Sequence, residues 1–261
     1  MNDRNLRNPS LIQRIFSQKK PESAPDSNVL KPCGYCFVCG GSEFSSTEVL
    51  WQELIDDWGI SSEETAYINR QQGTTCSGCY NNLRSIALAK AILVKYGFPG
   101  TLWEFFASPG GKDLRVLSIN TSGGLCATLE TLANYKLAEY PVHDMTKLGF
   151  ADESYDLVIH SDTLEHVANP VLGLQECKRV LTPGGSCIFT IPIIVGRLSA
   201  DRKGRKMSYH GSSANSSDDW AVQTEYGADA WMDGFKAGFS NVKFHCLEYP
   251  AAFAIECNKS I

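Results

Sequence analysis

The sequence lacks an apolar run long enough to cross a lipid bilayer. Its most apolar stretch, CIFTIPIIVG, falls short of the roughly 20 residues that a membrane-spanning helix needs and is typical of a buried strand. The sequence also lacks an excess of positive charge, since 24 Lys and Arg residues stand against 29 Asp and Glu residues and the formal net charge is −5. We therefore expect neither a membrane nor a nucleic acid as partner.

The N-terminal stretch lacks the features of a secretory signal. It is polar, and no apolar signal core follows Arg4 and Arg7. We therefore expect the protein in the cytoplasm. In that reducing compartment the ten cysteines are not expected to form disulfides, and the clustered C-x-x-C pairs among them indicate a metal site.

Five of the cysteines lie close together in the first third of the chain. Cys36 and Cys39 form one C-x-x-C pair, and Cys76 and Cys79 form another. Four such thiolates fill the tetrahedral shell of Zn²⁺ and leave no open position, which predicts a structural zinc site. Cys33 forms a second C-x-x-C with Cys36, so one N-terminal cysteine is surplus. We favour Cys36 and Cys39 because two glycines follow them.

Composition and pattern divide the chain into three parts. Residues 1–32 are polar and predict a flexible tail, and residues 33–99 form a cysteine-rich, helical, zinc-binding module. In residues 100–261 short apolar strands alternate with helices, which predicts an α/β domain with helices on both faces of a mostly parallel sheet. The last two strands adjoin near Pro250, so we expect an antiparallel hairpin at the C-terminus.

Local signals mark the ends of two helices in the module. Ser61 and Glu64 have the spacing of a capping box, and Gly73 is a stop signal twelve residues after Ser61. A second helix is predicted over NNLRSIALAKAILVKYG, and its end is marked by Gly97 and Pro99.

Several motifs of the third part carry a family resemblance. The segment RVLSINTSGG predicts a strand that runs into a glycine turn, and the later segments YDLVIHSDTLEHV and RVLTPGG follow in order. Together they resemble the class I S-adenosylmethionine-dependent methyltransferases over about residues 100–258. The resemblance implies a Rossmann-like methyltransferase sheet and S-adenosyl-L-methionine as cofactor. The sequence departs from the family pattern at three positions: Ser118 stands in place of the acid, Asn120 in place of the first glycine and Ser122 in place of the second.

Ligands of open α/β sheets bind beyond the carboxyl ends of the strands. The predicted cofactor-binding residues lie at such ends, and the resemblance implies contacts with the adenine near Asp144. These residues are Ser118, Asn120, Gly123, Gly124, Glu139, Asp144, Met145 and Ser161.

Three further residues are candidates for catalysis. His166 is the first candidate base for removing a proton from the acceptor, although a histidine capping the next helix fits the pattern equally well. Asp162 is expected to orient the acceptor or the cofactor, and His210 lies in a polar insertion of the length typical of binding loops.

The leading hypothesis is O-methylation of a small polar acceptor. The resemblance to a bacterial family of methyltransferases with zinc knuckles, often associated with glycan or natural-product assembly, implies that the acceptor is a sugar, a glycan or another small polar metabolite. The alternative is a catalytically silent binding or assembly protein whose degenerate loop no longer holds the cofactor.

Overall fold

The structure is a computed structural model, and it describes residues 34–209 and 220–261. The elements of its first part are β1 (Phe44–Ser46), α1 (Gln52–Trp58), α2 (Ser62–Gly73), β2 (Thr74–Cys76), α3 (Leu83–Tyr96) and α4 (Leu102–Ala107). His210, Cys33 and the tail over residues 1–32 lie outside the described residues.

The second part contains the main sheet. Its elements are β3 (Val116–Ile119), α5 (Cys126–Leu129), β4 (Tyr135–Ala138), β5 (Tyr155–Ser161), α6 (Pro170–Val180), β6 (Leu181–Thr190), β7 (Ile193–Ile194), β8 (Ala200–Asp201), β9 (Thr224–Gly227), α7 (Met232–Lys236), β10 (Asn241–Glu248) and β11 (Ala252–Asn258). Short 3₁₀ turns at Gly123–Leu125, Met145–Lys147 and Leu164–His166 follow the ends of β3, β4 and β5.

The capping signals read from the sequence are present. The Ser61 hydroxyl accepts a hydrogen bond from the backbone N–H of Glu64, and the Glu64 carboxylate accepts one from the backbone N–H of Ser61 at 2.8 Å. The side chain of Asn82 caps the start of α3, and α3 ends at Gly97, whose φ of +62° is the left-handed conformation that favours glycine.

The main sheet has the strand order β10–β11–β6–β5–β3–β4. Strand β3 pairs in parallel with β4 and β5, and β5 pairs in parallel with β6. Strand β11 is antiparallel to both β6 and β10, so the last two strands form a hairpin. The predicted Rossmann-like sheet, mostly parallel with a C-terminal antiparallel hairpin, is therefore confirmed.

Helices cover both faces of this sheet. On one face α3 packs against β6, β10 and β11, and its apolar side chains join Leu157 and Ile159 of β5 in one core. On the other face α6 contributes Leu174 and Cys177 to a second core with Phe189. Helix α3 was assigned by sequence to the cysteine module, and it lies with the sheet in one compact unit. The boundary at residue 99 stays a prediction.

Helices α1 and α2 are attached to the segment after β6 and to the end of β10 by ion pairs and a hydrogen bond. The Arg197 guanidinium binds both Glu64 carboxylate oxygens, at 3.0 and 2.8 Å, and also donates to the backbone carbonyl of Trp58 at 2.8 Å. Arg70 of α2 pairs with Glu248 at the end of β10. These contacts hold the two helices next to the carboxyl end of the parallel strands.

Across the described ranges, no helix is long and apolar enough to cross a membrane.

Candidate functional site

The carboxyl ends of β3 and β5 carry two residues in an unusual backbone conformation. Asn120 has a φ of +57° and Asp162 a φ of +46°. Asn and Asp adopt this left-handed region more readily than other residues with a Cβ, but at a cost in conformational energy. Such costs are often found at functional sites. Because β3 and β5 are adjacent and parallel, the two residues follow the strands at the same edge of the sheet.

Asn120 connects the ends of three strands. Its side-chain oxygen accepts a hydrogen bond from the backbone N–H of Tyr140, two residues beyond the end of β4, at 3.0 Å. Its side-chain amide lies 3.5 Å from the Thr163 hydroxyl, two residues beyond the end of β5. The side chain that replaces the first glycine of the family pattern therefore fixes the geometry of this edge.

Ser118, which stands where relatives carry an acid, has a fully buried side chain. Its hydroxyl donates to the carbonyl of Asn120 at 2.9 Å and lies 3.0 Å from the hydroxyl of Ser122, also buried. Both hydroxyls are thus used inside the turn, and this contact shapes the loop from within.

The two glycines of the loop lie on the exposed side of the turn. Gly123 has a φ of +57°, and a Cβ at Gly124 would lie 2.6 Å from the side-chain oxygen of Asn81. A side chain at Gly124 would therefore displace the loop or the buried Asn81. Asn81 belongs to the turn of the second cysteine pair, which links that turn to the first loop of the sheet.

The other predicted cofactor residues fall into three environments. Glu139 is exposed just beyond β4. Asp144 accepts hydrogen bonds from the backbone N–H and the hydroxyl of Thr146 at 2.7 and 2.8 Å, so it caps the turn in which the buried Met145 lies. Ser161 is buried, and its hydroxyl is 2.8 Å from that of Thr190 on β6.

A cluster of charged side chains surrounds the end of β5. Asp162 forms an ion pair with Arg84 of α3, and neither side chain is more than a quarter exposed. Burial raises the pKa of Asp162, while the Arg84 guanidinium opposes that shift. Burial raises the pKa of Glu165 well above its ordinary value, and the nearby Asp162 carboxylate adds to this shift.

His166 lies in the same cluster and has the tautomer that a base needs. Its Nδ1 is 3.2 Å from the carbonyl oxygen of Ala221, which can only accept, so Nδ1 carries the proton and Nε2 the lone pair. Nε2 is 3.7 Å from Glu165 Oε1. Burial lowers the pKa of His166, which favours the neutral ring. The start of α6 is capped by the side chain of Asn169.

The four predicted metal ligands converge. The sulfur atoms of Cys36, Cys39, Cys76 and Cys79 all lie within 4.8 Å of one another. The Sγ atoms of Cys36 and Cys79 are 3.5 Å apart, and those of Cys39 and Cys76 are 3.7 Å apart. Tetrahedral Zn²⁺ with bonds of about 2.3 Å places its sulfur ligands about 3.8 Å apart, so the arrangement fits this ion.

Each cysteine pair lies in a tight turn. The backbone N–H of Gly40 donates to the Cys36 carbonyl at 2.7 Å, and that of Tyr80 donates to the Cys76 carbonyl at 2.8 Å. The residue after each pair has a positive φ, +84° at Gly40 and +59° at Tyr80. The two turns therefore share one backbone design, and a Cβ at Gly41 would lie 3.0 Å from the Cys76 sulfur.

A cavity of about 280 Å³ lies beside the charged cluster. Its walls come from α1, α2, the end of β5 and the segments around β7 and β9. The residues that line it are Val49, Leu50, Trp51, Leu54, Trp58, Ile60, Ile68, Gln72, Asp162, Glu165, Pro192, Ile194, Thr224, Glu225 and Tyr226.

No functional role was predicted from the sequence for Arg84, Glu165, Asn81 or the residues of α1 that line the cavity. Glu165 lies inside the family motif LEHV and Arg84 inside the quoted helix NNLRSIALAKAIL, so the motifs marked their positions without giving them a role. The contacts of Asn81 and of the α1 residues join positions far apart in the chain, for which the local pattern holds no signal.

Part of the chain matches known proteins. Residues 96–189 match the family described as Methyltransferase domain. A demethylmenaquinone methyltransferase of Mycobacterium sp. (strain KMS) is 48% identical over 52 residues, which cover 19% of this chain and 23% of that protein. A ubiquinone biosynthesis O-methyltransferase of Parvibaculum lavamentivorans is 29% identical over 99 residues, covering 28% of this chain and 38% of that protein. The chain thus spans less than a quarter of the length of the first of these relatives.

A solved structure of an S-adenosylmethionine-dependent methyltransferase from Mesorhizobium loti is similar over 58% of this chain and 94% of that chain, with 15% identity and a TM-score of 0.40. The family match and the strand order support a class I methyltransferase, with the matched domain over residues 96–189.

Proposed function

We propose that the protein is an S-adenosylmethionine-dependent methyltransferase that holds its cofactor at the carboxyl ends of β3, β4 and β5. The observation that carries the proposal is the turn from Asn120 to Gly124, which leaves β3 within the matched domain and exposes Gly123 and Gly124 at this edge. This cofactor has no pyrophosphate, so the loop has to permit close backbone approach rather than offer several amides to phosphate oxygens.

The proposed reaction is the transfer of a methyl group to an oxygen of a small molecule. When bound, the cofactor supplies a methyl carbon on a sulfonium. It would give this methyl group to the acceptor oxygen and would leave as a neutral thioether that keeps the bonding electron pair, so the residues of the chain would have to place the oxygen and remove its proton. In the proposal, Asp162 accepts the hydrogen bond of the acceptor hydroxyl and so orients it, and the proton that leaves the hydroxyl passes by way of Asp162 to His166 Nε2.

We further propose that the four cysteines hold a structural Zn²⁺. The sulfur separations support this choice, and four thiolates leave no open position for a substrate or a water molecule. The ion therefore has no part in the chemical step. Its role is to fix two turns, the second of which carries Asn81 beside the cofactor loop.

The name of one relative supports an oxygen acceptor, because that protein is an O-methyltransferase of ubiquinone biosynthesis. The acceptor class expected from sequence, a sugar or glycan, stays a prediction. The alternative, a catalytically silent binding protein, rests on the three positions at which the loop departs from the family pattern, namely Ser118, Asn120 and Ser122.

A pair of glycine variants tests the location of the cofactor. Gly124→Ala places a Cβ against Asn81, whereas Gly110→Ala meets no atom closer than 4.0 Å, and neither glycine has a positive φ. We expect Gly124→Ala to weaken S-adenosylmethionine binding by at least about tenfold, the effect of roughly 1.4 kcal/mol, and Gly110→Ala to leave it unchanged. Equal binding by both variants contradicts the proposed location.

A further inference from the structure

The cavity beside β5 is mainly apolar. Ten of its lining residues are aliphatic or aromatic, namely Val49, Leu50, Trp51, Leu54, Trp58, Ile60, Ile68, Pro192, Ile194 and Tyr226. Such walls gain free energy by contact with an apolar ligand. They offer few of the hydrogen-bond partners that the many hydroxyls of a sugar lose when they leave water.

The cavity wall is held rigidly at Trp58. The indole N–H donates to the Ser208 hydroxyl at 2.7 Å, and the Arg202 guanidinium lies 5.0 Å from the centre of the indole ring. The backbone N–H groups of Val49 and Leu50 both donate to the side chain of Asn69 at 2.9 Å. A wall fixed in this way loses little conformational entropy when a ligand binds.

The ionisable side chains that line the cavity are all carboxyl groups. Asp162, Glu165 and Glu225 line it, and the lining residues in the described part of the chain include no lysine, arginine or histidine. Glu225 is paired with Arg202 and Asp162 with Arg84, while burial raises the pKa of Glu165 and favours its neutral form. A ligand with a carboxylate or phosphate would therefore leave water without meeting a cationic side chain in the wall.

The polar end of the cavity coincides with the proposed site of chemistry. Asp162 both follows β5 at the edge proposed for the cofactor and lines the cavity. A carboxylate only accepts hydrogen bonds, so it binds a ligand that donates one. The volume of about 280 Å³ is just below the roughly 300–1,000 Å³ typical of small-molecule pockets, which favours a body of one or two rings over an oligosaccharide.

We propose that this cavity binds the methyl acceptor, and that the acceptor is an uncharged, flat, apolar molecule whose hydroxyl donates a hydrogen bond to Asp162. Trp51, Leu54 and Ile68 then determine specificity by contact with the apolar body. This assignment rests on the proposed function, since the methyl group is to be delivered at the end of β5. It replaces the sugar acceptor with an aromatic or quinol-like one, and it disfavours nucleotide-activated sugars because their phosphates are anionic.

Three small probe molecules test the assignment by calorimetric titration of the full chain without cofactor. They are 2-naphthol, 2-naphthoate and methyl α-D-glucopyranoside. We expect 2-naphthol to bind, 2-naphthoate to bind at least about tenfold more weakly because its carboxylate loses hydration without gaining a cationic partner, and the glucoside to give no binding at millimolar concentration. Binding of the glucoside in preference to 2-naphthol overturns the assignment.

A matched pair of variants locates the binding. Gln72→Lys adds a cation to the cavity wall, whereas Gln52→Lys makes the same change at an exposed position of α1. We expect Gln72→Lys to strengthen 2-naphthoate binding by about tenfold and Gln52→Lys to leave it unchanged. An equal effect of both variants contradicts binding in this cavity.

Titration of the same samples with S-adenosylmethionine separates the two proposals. Protein that binds 2-naphthol but not S-adenosylmethionine contradicts the proposed function and leaves the ligand class of the cavity supported. Protein that binds S-adenosylmethionine but prefers the glucoside contradicts the cavity assignment alone.

Discussion

The side-chain amide nitrogen of Asn81 lies 3.5 Å from the carbonyl oxygen of Gly124, and the Asn81 side-chain oxygen fills the space that a Cβ at Gly124 would need. The same amide nitrogen lies 3.4 Å from the sulfur of Cys79. One buried side chain thus contacts both the cysteine site and the glycine turn proposed for the cofactor. This contact predicts that the metal module supports cofactor binding as well as folding.

The first prediction concerns Asn81→Ala. We expect S-adenosylmethionine affinity to fall about fivefold to tenfold, because a hydrogen bond of this kind contributes about 1 kcal/mol, while the metal content stays unchanged. Asn134→Ala is the control. Asn134 is exposed in the loop before β4, and its side chain donates to the backbone carbonyl of Asp113 at 3.1 Å, away from the cofactor loop. Calorimetric titration and metal analysis of both variants check the prediction, and equal affinities contradict it.

The second prediction concerns metal removal. We expect one zinc ion per chain, lost in Cys76→Ser and retained in Cys246→Ser, whose cysteine is exposed and outside the cluster. Structural zinc sites contribute on the order of 10 kcal/mol, and each 1 kcal/mol shifts the melting temperature by about 2–4 °C in a chain of this size. Cys76→Ser should therefore melt well over 10 °C lower. A metal-free protein with an unchanged melting temperature contradicts the site.

The third prediction concerns His166. We expect His166→Ala to keep cofactor affinity and to lower kcat by about 10²-fold, the usual contribution of a general base. Burial lowers the pKa of His166 below its ordinary value, so the neutral ring persists as the pH falls past about 6.5. The kcat/KM profile should stay level through that pH and decline only in more acidic buffer. A decline that starts above neutrality, or an unchanged kcat in the variant, removes His166 from the mechanism.

The fourth prediction concerns stability and Glu165. Burial and the Asp162 carboxylate raise the pKa of Glu165 in the folded state above its unfolded value. The stabilising contribution of its neutral form is therefore complete below the unfolded pKa and is lost as the pH rises through the folded pKa. Glu165→Gln, which carries no charge, should melt higher than the natural protein at pH 8 and similarly near pH 4. A variant that is less stable at both pH values contradicts the assignment.

The fold could be predicted because its signals are local. The capping box of Ser61 and Glu64, the stop at Gly97 and the alternation of strands with helices each depend on residues near in sequence, and the structure contains them all. The terminal hairpin followed from two adjacent strands with a short connection. The spacing of the cysteine pairs likewise predicted their convergence.

The site was less predictable because its contacts are between distant parts of the chain. Nothing near Asp162 in sequence indicates its ion pair with Arg84, and nothing near Trp58 indicates its hydrogen bond to Ser208. The role of Ser118 was also hidden, because only the backbone geometry of the turn shows that its hydroxyl is used within the loop. Helices α1 and α2, read from sequence as part of a zinc module, also form the cavity wall.

The most direct test of the central claim is a calorimetric titration of the full chain with S-adenosylmethionine. The account predicts saturable binding of one molecule per chain, with a dissociation constant of about 1 µM to 1 mM, the range in which the KM values of enzymes usually lie. Absence of binding at millimolar cofactor, by protein that is folded and contains its metal, would contradict it and favour the silent binding protein.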